Sequence, residues 1–443
     1  MAYENHDPHD PIKADSVNNM YLAFEPYPLE SREAMDQFFI ETMAVRTGDP
    51  AESPIKKIEK ACKRPREHNV FLLLGHRGCG KSTELNRMKL KLEEQGRPVK
   101  IIPCALDLYL ENKPEYSDLL ILMADALLNI AKEKGAPVRK KTLNLIKSFW
   151  TEGEKEHEIT EEADADAGFK AEIAAPDLIQ SVLKLLVKVK GDVKYNEKLR
   201  TVYKEKLTGR FTDWQRVIRQ LSDDITATVG KQPVLIFEDL DKLDQDEARN
   251  IFYQHEGKLS SFAFPVVYTF PIALYYDSYF RSMDSFFHVE TYPMLKLRNI
   301  DGTPFPAGFD KLRDIVLKRV QPGLIDDDAL TLMINKTGGS LRDLFRVLND
   351  ASDRAENRES DKVELEDAKR ALINLQSDMT RMISGDQHEF LAEIYQGKHK
   401  KIEEKDKLLE MLQARTVLEY NGERWFDLHP LAADYLKELG YLP

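Results

Sequence analysis

The residues with the clearest chemistry form a glycine-rich loop, Gly75-His76-Arg77-Gly78-Cys79-Gly80-Lys81-Ser82. The spacing matches G-x-x-x-x-G-K-[ST], and the loop lies between an apolar run at 70–74 and leucines with helical spacing. In such a loop, inward-facing main-chain N–H groups and the start of a helix together wrap a β-phosphate. Lys81 is predicted to reach the β- and γ-phosphates, and Ser82 to place its hydroxyl on Mg²⁺. The residues predicted to contact the nucleotide are Gly75, Gly78, Cys79, Gly80, Lys81, Ser82 and Thr83.

A second group of candidate residues follows an apolar run at 234–237, where Glu238 and Asp239 form a pair of carboxylates. The carboxyl end of a buried strand faces the ligand crevice of an open parallel sheet. Glu238 is therefore predicted to hold Mg²⁺ through water, and Asp239 to polarise the attacking water as general base. Since the usual order is Asp then Glu, hydrolysis is expected to be slow. Asp241 and Lys242 are interpreted as a local ion pair.

The predicted nucleotide is ATP with Mg²⁺. A GTPase needs an Asn/Thr-Lys-x-Asp motif to read guanine, and the nearest string, Asn335-Lys336-Thr337-Gly338, lacks that aspartate.

Alternating strand and helix patterns predict an α/β fold, with strands at 70–74, 99–104, 234–237, 266–270 and 287–290. The predicted fold class is a P-loop parallel-sheet ATPase core with a helical lid and a C-terminal winged-helix domain. The predicted domains are a helical lead-in at 1–69, the core at 70–300 with a helical insertion at 135–200, the lid at 301–376 and the winged helix at 377–443.

Within the insertion, an acidic stretch at 152–166 is interpreted as partly flexible. The apolar segment 178–189 has helical spacing. It is interpreted as a helix packed on the core, with docking of a partner as the alternative.

Near the C-terminus, Asn421-Gly422 between two apolar runs predicts a hairpin with a tight type I′ turn. Lysines between two predicted helices could bind DNA: Lys398, Lys400, Lys401, Lys405 and Lys407. Residues 380–443 nevertheless hold nine Lys and Arg against twelve Asp and Glu. Because DNA binding depends on positive charge, a protein-binding or autoinhibitory winged helix is preferred, and DNA is the alternative.

The 443 residues are 42% hydrophobic and 32% charged, which is compatible with two or three packed domains. The net charge of −12 argues against bulk electrostatic coating of nucleic acid. Three scattered cysteines are too few for a disulfide framework or a four-ligand zinc site. With neither an apolar run of membrane length nor a signal peptide pattern, a cytoplasmic protein without a membrane partner is expected.

The two motifs, together with Gly338-Gly339-Ser340-Leu341-Arg342-Asp343-Leu344, resemble the AAA+ and STAND families of P-loop ATPases. The resemblance to replication initiators and STAND relatives implies that Arg342 is the sensor-2 arginine that reaches the γ-phosphate; pairing with Asp343 or Asp350 is the alternative. It also implies that Thr269 is the sensor-1 polar group and that Arg281 is an arginine finger for a neighbouring subunit; ordinary strand propensity and a plain surface charge are the respective alternatives. The string Glu-Asp-Leu-Asp at 238–241 is similar to the KAP branch, so the branch stays open.

Two functions follow from this resemblance. The first is an ATP-hydrolysing switch that couples nucleotide state to homo-oligomer assembly and to a separate effector protein, as in bacterial antiviral ATPases. The alternative is a DNA-binding initiator or loader ATPase. A weaker third option is a scaffold that binds ATP and barely hydrolyses it.

Overall fold

A computed structural model describes residues 10–64, 69–107, 114–149, 174, 176–191, 206–397, 405–420 and 425–443. Its centre is a five-stranded parallel sheet in the order β2-β3-β4-β1-β5. The strands are β1 (Val70–Leu74), β2 (Val99–Pro103), β3 (Val234–Glu238), β4 (Val266–Phe270) and β5 (His288–Thr291). All five predicted strands are confirmed, although β2 ends one residue early and β5 is shifted by one residue.

Helices surround this sheet and extend beyond it. The first half of the chain contains α1 (Met20–Ala23), α2 (Arg32–Phe38), α3 (Met43–Thr47), α4 (Pro54–Cys62), α5 (Lys81–Glu94), α6 (Cys104–Asp107), α7 (Tyr116–Glu133), α8 (Lys140–Ser148), α9 (Pro176–Gly191) and α10 (Phe211–Val229). The second half contains α11 (Gln245–Phe252), α12 (Glu256–Leu259), α13 (Pro306–Arg319), α14 (Asp327–Lys336), α15 (Leu341–Asn357), α16 (Leu365–Thr380), α17 (His388–Gly397), α18 (Lys405–Ala414) and α19 (Pro430–Glu438). Short 3-10 helices lie at Val17–Asn19, Pro50–Glu52, Leu240–Lys242, Ile272–Tyr276, Ser278–Ser285 and Gly385–Gln387.

The central strands β1, β3 and β4 are mostly apolar, as is typical of strands with both faces covered. Along β1, Leu72 and Leu74 belong to the larger core, whereas Phe71 and Leu73 belong to a second core with α4 and α5. Successive side chains of a strand point to opposite faces, so one uninterrupted apolar run supplies both cores. The α/β fold class is confirmed.

The insertion contains two described helices, α8 and α9. Val182 and Leu186 of α9 are fully buried, and the helix packs against α7 and α8. The interpretation of 178–189 as a helix packed on the core is therefore confirmed. The acidic stretch 152–166 lies outside the described residues.

The segment after the lid consists of helices α17, α18 and α19 with a two-stranded hairpin, β6 (Val417–Tyr420) and β7 (Trp425–Leu428). Tyr420 pairs with Trp425, so four residues join the strands. The predicted hairpin is present, whereas its tight turn at Asn421-Gly422 falls on residues 421–424, which lie outside the described residues. We call residues 405–443 the C-terminal module; its assignment as a winged helix stays a prediction.

Residues 14–24, the sheet, the lid helices and the C-terminal module share one continuous apolar core. The predicted domain boundaries therefore stay predictions. Within the described part of the chain, no helix is both long enough and apolar enough to cross a membrane.

Candidate nucleotide site

A cleft of about 530 Å³ lies at the carboxyl ends of β1, β3 and β4. This volume is within the range of ordinary ligand sites. The predicted residues that line it are Gly78, Gly80, Lys81, Ser82, Thr83, Glu238, Asp239, Thr269 and Arg342. Because β4 lies between β1 and β3, the phosphate loop and the acidic strand end face each other across Thr269.

The phosphate loop has a backbone that requires glycine. The φ angles of Gly75, Gly78 and Gly80 are 153°, 83° and 100°. A Cβ on Gly78 would lie 2.6 Å from Cβ of Arg342, and a Cβ on Gly75 would lie 2.6 Å from the Tyr292 carbonyl oxygen. The loop therefore has both the left-handed conformation and the close contacts that only glycine permits.

Lys81 lies inside the loop and is almost fully buried. Its ammonium donates to the carbonyl oxygens of Gly75 (2.8 Å) and His76 (3.0 Å). It also pairs with Asp241 at 2.9 Å. Burial alone would lower the pKa of Lys81, but the Asp241 carboxylate holds that pKa above its ordinary value.

The predicted pair of Asp241 with Lys242 is wrong. The 3-10 turn Leu240–Lys242 directs Asp241 inward to Lys81, whereas Lys242 pairs with Asp239 at 2.6 Å. Burial would raise the pKa of Asp241, but Lys81 holds it below the usual range. Asp241 is therefore an anion paired with Lys81 at the glycine-rich loop.

Glu238 shows how a metal could be held. Burial raises the pKa of Glu238 to about 7, and a hydrogen bond from Ser82 opposes this rise. The Oε1 atom of Glu238 is buried and has no hydrogen-bond partner in the described part of the chain. A hydroxyl beside an unsatisfied carboxylate oxygen fits Mg²⁺, which prefers oxygen ligands. The described residues contain no group of three His, Cys, Asp or Glu able to hold a metal ion, so phosphate and water would complete the shell.

Asp239 and Thr269 determine the shape of the turn after β3. Asp239 has a φ of 69°, in the left-handed region, and lies at the cleft. The Thr269 hydroxyl accepts the N–H of Leu240 (3.0 Å) and donates to the carbonyl of Phe237 (3.3 Å). Thr269 therefore holds this turn in place from the neighbouring strand.

Arg342 lies in the first turn of α15, and this turn contacts the phosphate loop. The N–H groups of Leu341 (3.0 Å) and Arg342 (3.4 Å) both donate to the Gly78 carbonyl. Asp343 pairs with Arg415 at 3.1 Å and Asp350 with Arg354 at 2.9 Å. The alternative pairing of Arg342 with either aspartate is therefore wrong.

Arg281 lies elsewhere. It is exposed in the 3-10 segment Ser278–Ser285 and is not among the residues that line the cleft. Its predicted action on a neighbouring subunit stays a prediction.

The N-terminal segment contributes to the site in a way that the sequence did not indicate. Arg46 is almost fully buried, donates to the Cys79 carbonyl (2.8 Å) and lies 4.8 Å from the Tyr292 ring centroid. The Thr83 hydroxyl accepts the N–H of Leu29 at 3.2 Å. Further cleft residues from this segment and the lid are Tyr27, Pro28, Phe38, Phe39, Ile40, Ile315, Arg319 and Phe345. Apart from Arg319, which belongs to no motif, their only sequence signal was apolar character, which the core residues share.

The C-terminal module also contacts the phosphate loop. The Glu419 N–H of β6 donates to Nε2 of His76 at 2.8 Å. The Tyr420 hydroxyl donates to the Gly338 carbonyl at 2.8 Å, and Arg415 pairs with Asp343. The module therefore contacts both the phosphate loop and the start of α15.

This contact predicts a pH dependence of stability. Burial, followed by the charges of Lys81 and Arg415, lowers the pKa of His76 to about 3. In the unfolded chain the pKa is about 6.5, so the unfolded state binds more protons between these values. We expect the contribution of His76 to the free energy of unfolding to be fully present above pH 7 and to fall by up to about 1.4 kcal/mol per pH unit below pH 6.5.

Urea unfolding of the wild type and His76→Gln at pH 7.5, 6 and 5 would measure this dependence. Glutamine retains an acceptor but does not titrate, so the variant should lose less stability between pH 7.5 and 5. Equal losses in both proteins would contradict a neutral, buried His76.

No family model and no curated protein matches the chain. Solved structures do match. The Aeropyrum pernix ORC2 protein in ADPNP–ADP complexes is 13% identical, with 87% of this chain and 91% of that chain covered and a TM-score of 0.40. Drosophila ORC bound to DNA is 11% identical, with coverage of 99% and 95% and a TM-score of 0.38. The Thermotoga maritima RuvB branch migration motor is 12% identical, with coverage of 89% and 98% and a TM-score of 0.34. At these TM-scores the similarity says nothing about activity or partners.

Proposed function

We propose that this chain is a P-loop ATPase that binds ATP·Mg²⁺ in the cleft and uses its hydrolysis as a molecular switch. The observation that carries the proposal is the convergence of Lys81, Asp241, Ser82 and Glu238 on one cleft behind a glycine-shaped phosphate loop. Charges held away from water, such as those of Lys81 and Asp241, cost free energy unless they pair with each other or with a ligand.

Each side chain has a distinct part in this proposal. Lys81 exchanges contacts with Gly75, His76 and Asp241 for phosphate oxygens. Ser82 and Glu238 hold Mg²⁺, which when bound neutralises phosphate charge. Asp239 orients and polarises water, and Arg342 contacts the γ-phosphate from the lid.

Coupling to the rest of the molecule is supported by two contacts of the loop itself. The Gly78 carbonyl accepts from the first turn of α15, and His76 accepts from β6. A loop that rearranges around phosphate alters both contacts, so nucleotide state biases the lid and the C-terminal module together. The test is the assembly state of the chain, by light scattering, with ADP, ATP and a non-hydrolysable analogue. A monomer that is unaffected by nucleotide contradicts the model of switching by assembly.

Two biological settings follow for such a switch. No feature of the described residues supports the antiviral role or a separate effector. The other setting is a DNA-binding initiator or loader, which the salt dependence of DNA binding tests. Homo-oligomerisation through Arg281 remains part of the proposal in either setting.

DNA binding provides the discriminating prediction. A loader should bind duplex DNA at low salt and release it steeply as salt rises, because contacts with phosphates release counterions. Lys400→Glu with Lys401→Glu should abolish that binding, whereas Lys369→Glu with Arg370→Glu, on the exposed face of α16, serves as the matched control. Fluorescence anisotropy at about 50 and about 200 mM salt would measure the affinity for DNA, because phosphate contacts weaken strongly over this range. Absence of binding at low salt would favour a protein-directed switch.

A further inference from the structure

The cleft contains a buried cation that the proposed chemistry does not use. Arg319, at the end of α13, is 4% exposed and lines the cleft. Its Nη1 donates to the Ala23 carbonyl at 2.7 Å, while its buried Nε has no hydrogen-bond partner among the described residues. Within the same described ranges, no carboxylate pairs with it, and burial lowers its pKa to about 10.

This arrangement is unusual for a structural arginine. Buried polar groups are normally hydrogen-bonded, and buried charges are normally paired. A guanidinium that only tied residues 20–24 to α13 would be expected to have its inward donors filled. Arg319 therefore lines the cleft with a guanidinium whose hydrogen-bonding capacity the described residues do not fill.

Arg319 lies toward the end of the cleft that is away from the phosphate loop. Its guanidinium lies 4.7 Å from the ring centroid of Phe345 and 5.5 Å from that of Phe38. Phe345 follows Arg342 by nearly one helical turn of α15, and the first turn of α15 contacts Gly78. The guanidinium is thus beyond the phosphate end, beside the aromatic rings of Phe345 and Phe38.

The chemistry of this wall suits a flat heterocycle. Tyr27, Leu29 and Phe39 also line the cleft and offer apolar surface to a planar ring. A guanidinium has N–H donors and no acceptor, so it selects a ring that presents an acceptor. Purines present such atoms: N7 and N3 in adenine, and N7 and O6 in guanine.

We infer that Arg319 is a specificity-determining residue, whose guanidinium donates a hydrogen bond to an acceptor atom of the purine base. The inference rests on the proposed function, since it assumes that the phosphate loop holds the triphosphate of the same nucleotide. Arg319 does not contact the reacting phosphates, so its effect is on base selection rather than on turnover.

The test compares ATP with deaza analogues, each of which lacks one ring nitrogen, and with two further ligands. Equilibrium affinities of the full chain with Mg²⁺ would be measured for ATP, 7-deaza-ATP, 3-deaza-ATP, 1-deaza-ATP, GTP and inorganic tripolyphosphate. For the wild type, one deaza analogue is expected to bind about tenfold more weakly than ATP, because a donor is left without its acceptor. In Arg319→Met that penalty should disappear, ATP should bind about tenfold more weakly, and tripolyphosphate should bind as in the wild type.

Control variants separate base reading from packing. Arg313→Met removes a partly exposed arginine on the same helix, which pairs with Asp327, and should leave every affinity unchanged. Arg319→Lys keeps the charge and stem, and should still lose the deaza penalty, because the planar fork is gone. Should Arg319→Met fail to fold, the wild type and Arg319→Lys alone decide the matter.

The outcomes are distinguishable from failure of the proposed function. Equal binding of ATP and all three deaza analogues by the wild type overturns the inference but leaves the ATPase intact. Equal weakening of ATP and tripolyphosphate by Arg319→Met likewise reduces Arg319 to a packing residue. If the wild type binds neither ATP nor tripolyphosphate, the proposed ATPase function is overturned. If GTP binds more tightly than ATP and Arg319→Met removes this difference, Arg319 does contact the base, and the base is guanine rather than adenine.

Discussion

Replacing Lys81 with alanine is expected to weaken binding of ATP·Mg²⁺ by about a hundredfold, because charge-assisted hydrogen bonds to phosphate oxygens are lost. The ammonium already lies inside the loop, 2.8 Å from the Gly75 carbonyl. Its removal therefore takes away the cation that would contact the phosphate. Titration calorimetry with a non-hydrolysable ATP analogue measures the effect.

A second effect of this change has to be separated. Lys81→Ala leaves Asp241 buried without its partner, which costs about 3–5 kcal/mol in folding stability. The double variant Lys81→Ala with Asp241→Asn removes both charges and should recover most of that stability without recovering nucleotide affinity. Thermal unfolding by circular dichroism gives the stability. Wild-type affinity in a properly folded Lys81→Ala protein would contradict the proposed function.

Asp239→Asn is expected to reduce the rate of ATP hydrolysis by about 10²- to 10⁴-fold while ATP affinity changes little. Asparagine has nearly the same shape as aspartate but cannot accept a proton from water. Asp239 lies at the cleft in a left-handed turn supported by Thr269, and its Oδ1 contacts Lys242. Phosphate release at saturating ATP measures the rate.

The matched control for this variant is Asp246→Asn, which makes the same chemical change at a side chain that is 95% exposed on α11. It should hydrolyse ATP at the wild-type rate. A wild type that turns over no faster than Asp239→Asn would indicate a scaffold that binds ATP without using it.

The sequence predicts those structural features that depend on residues close together in the chain. The strand at 70–74 has its predicted bounds, and a helix follows the phosphate loop as its leucine spacing indicates, because a buried parallel strand, a glycine loop and a helix each have a local pattern. Glu238 and Asp239 were found for the same reason, since they directly follow an apolar run.

The remainder of the site depends on contacts between distant residues. Asp241 was assigned to its neighbour Lys242, but a 3-10 turn places it on Lys81, 160 positions away. Arg46 and Arg319 carry no motif, and only tertiary packing reveals that they lie beside the loop and the cleft. His76 occupies a variable position of the loop motif, so its hydrogen bond with Glu419 had no signal in the sequence.

The core beneath the phosphate loop has a consequence for synthesis and truncation of the chain. Leu418, Tyr420 and Trp425 pack in the same core as Leu73 and Cys79, so residues far apart in the chain complete one apolar unit. During translation this unit stays incomplete until the hairpin has left the ribosome, and contacts of such long sequence separation form slowly. A fragment ending at residue 376 would expose that apolar surface and leave Asp343 without Arg415. We therefore expect such a fragment to aggregate rather than to serve as a minimal ATPase.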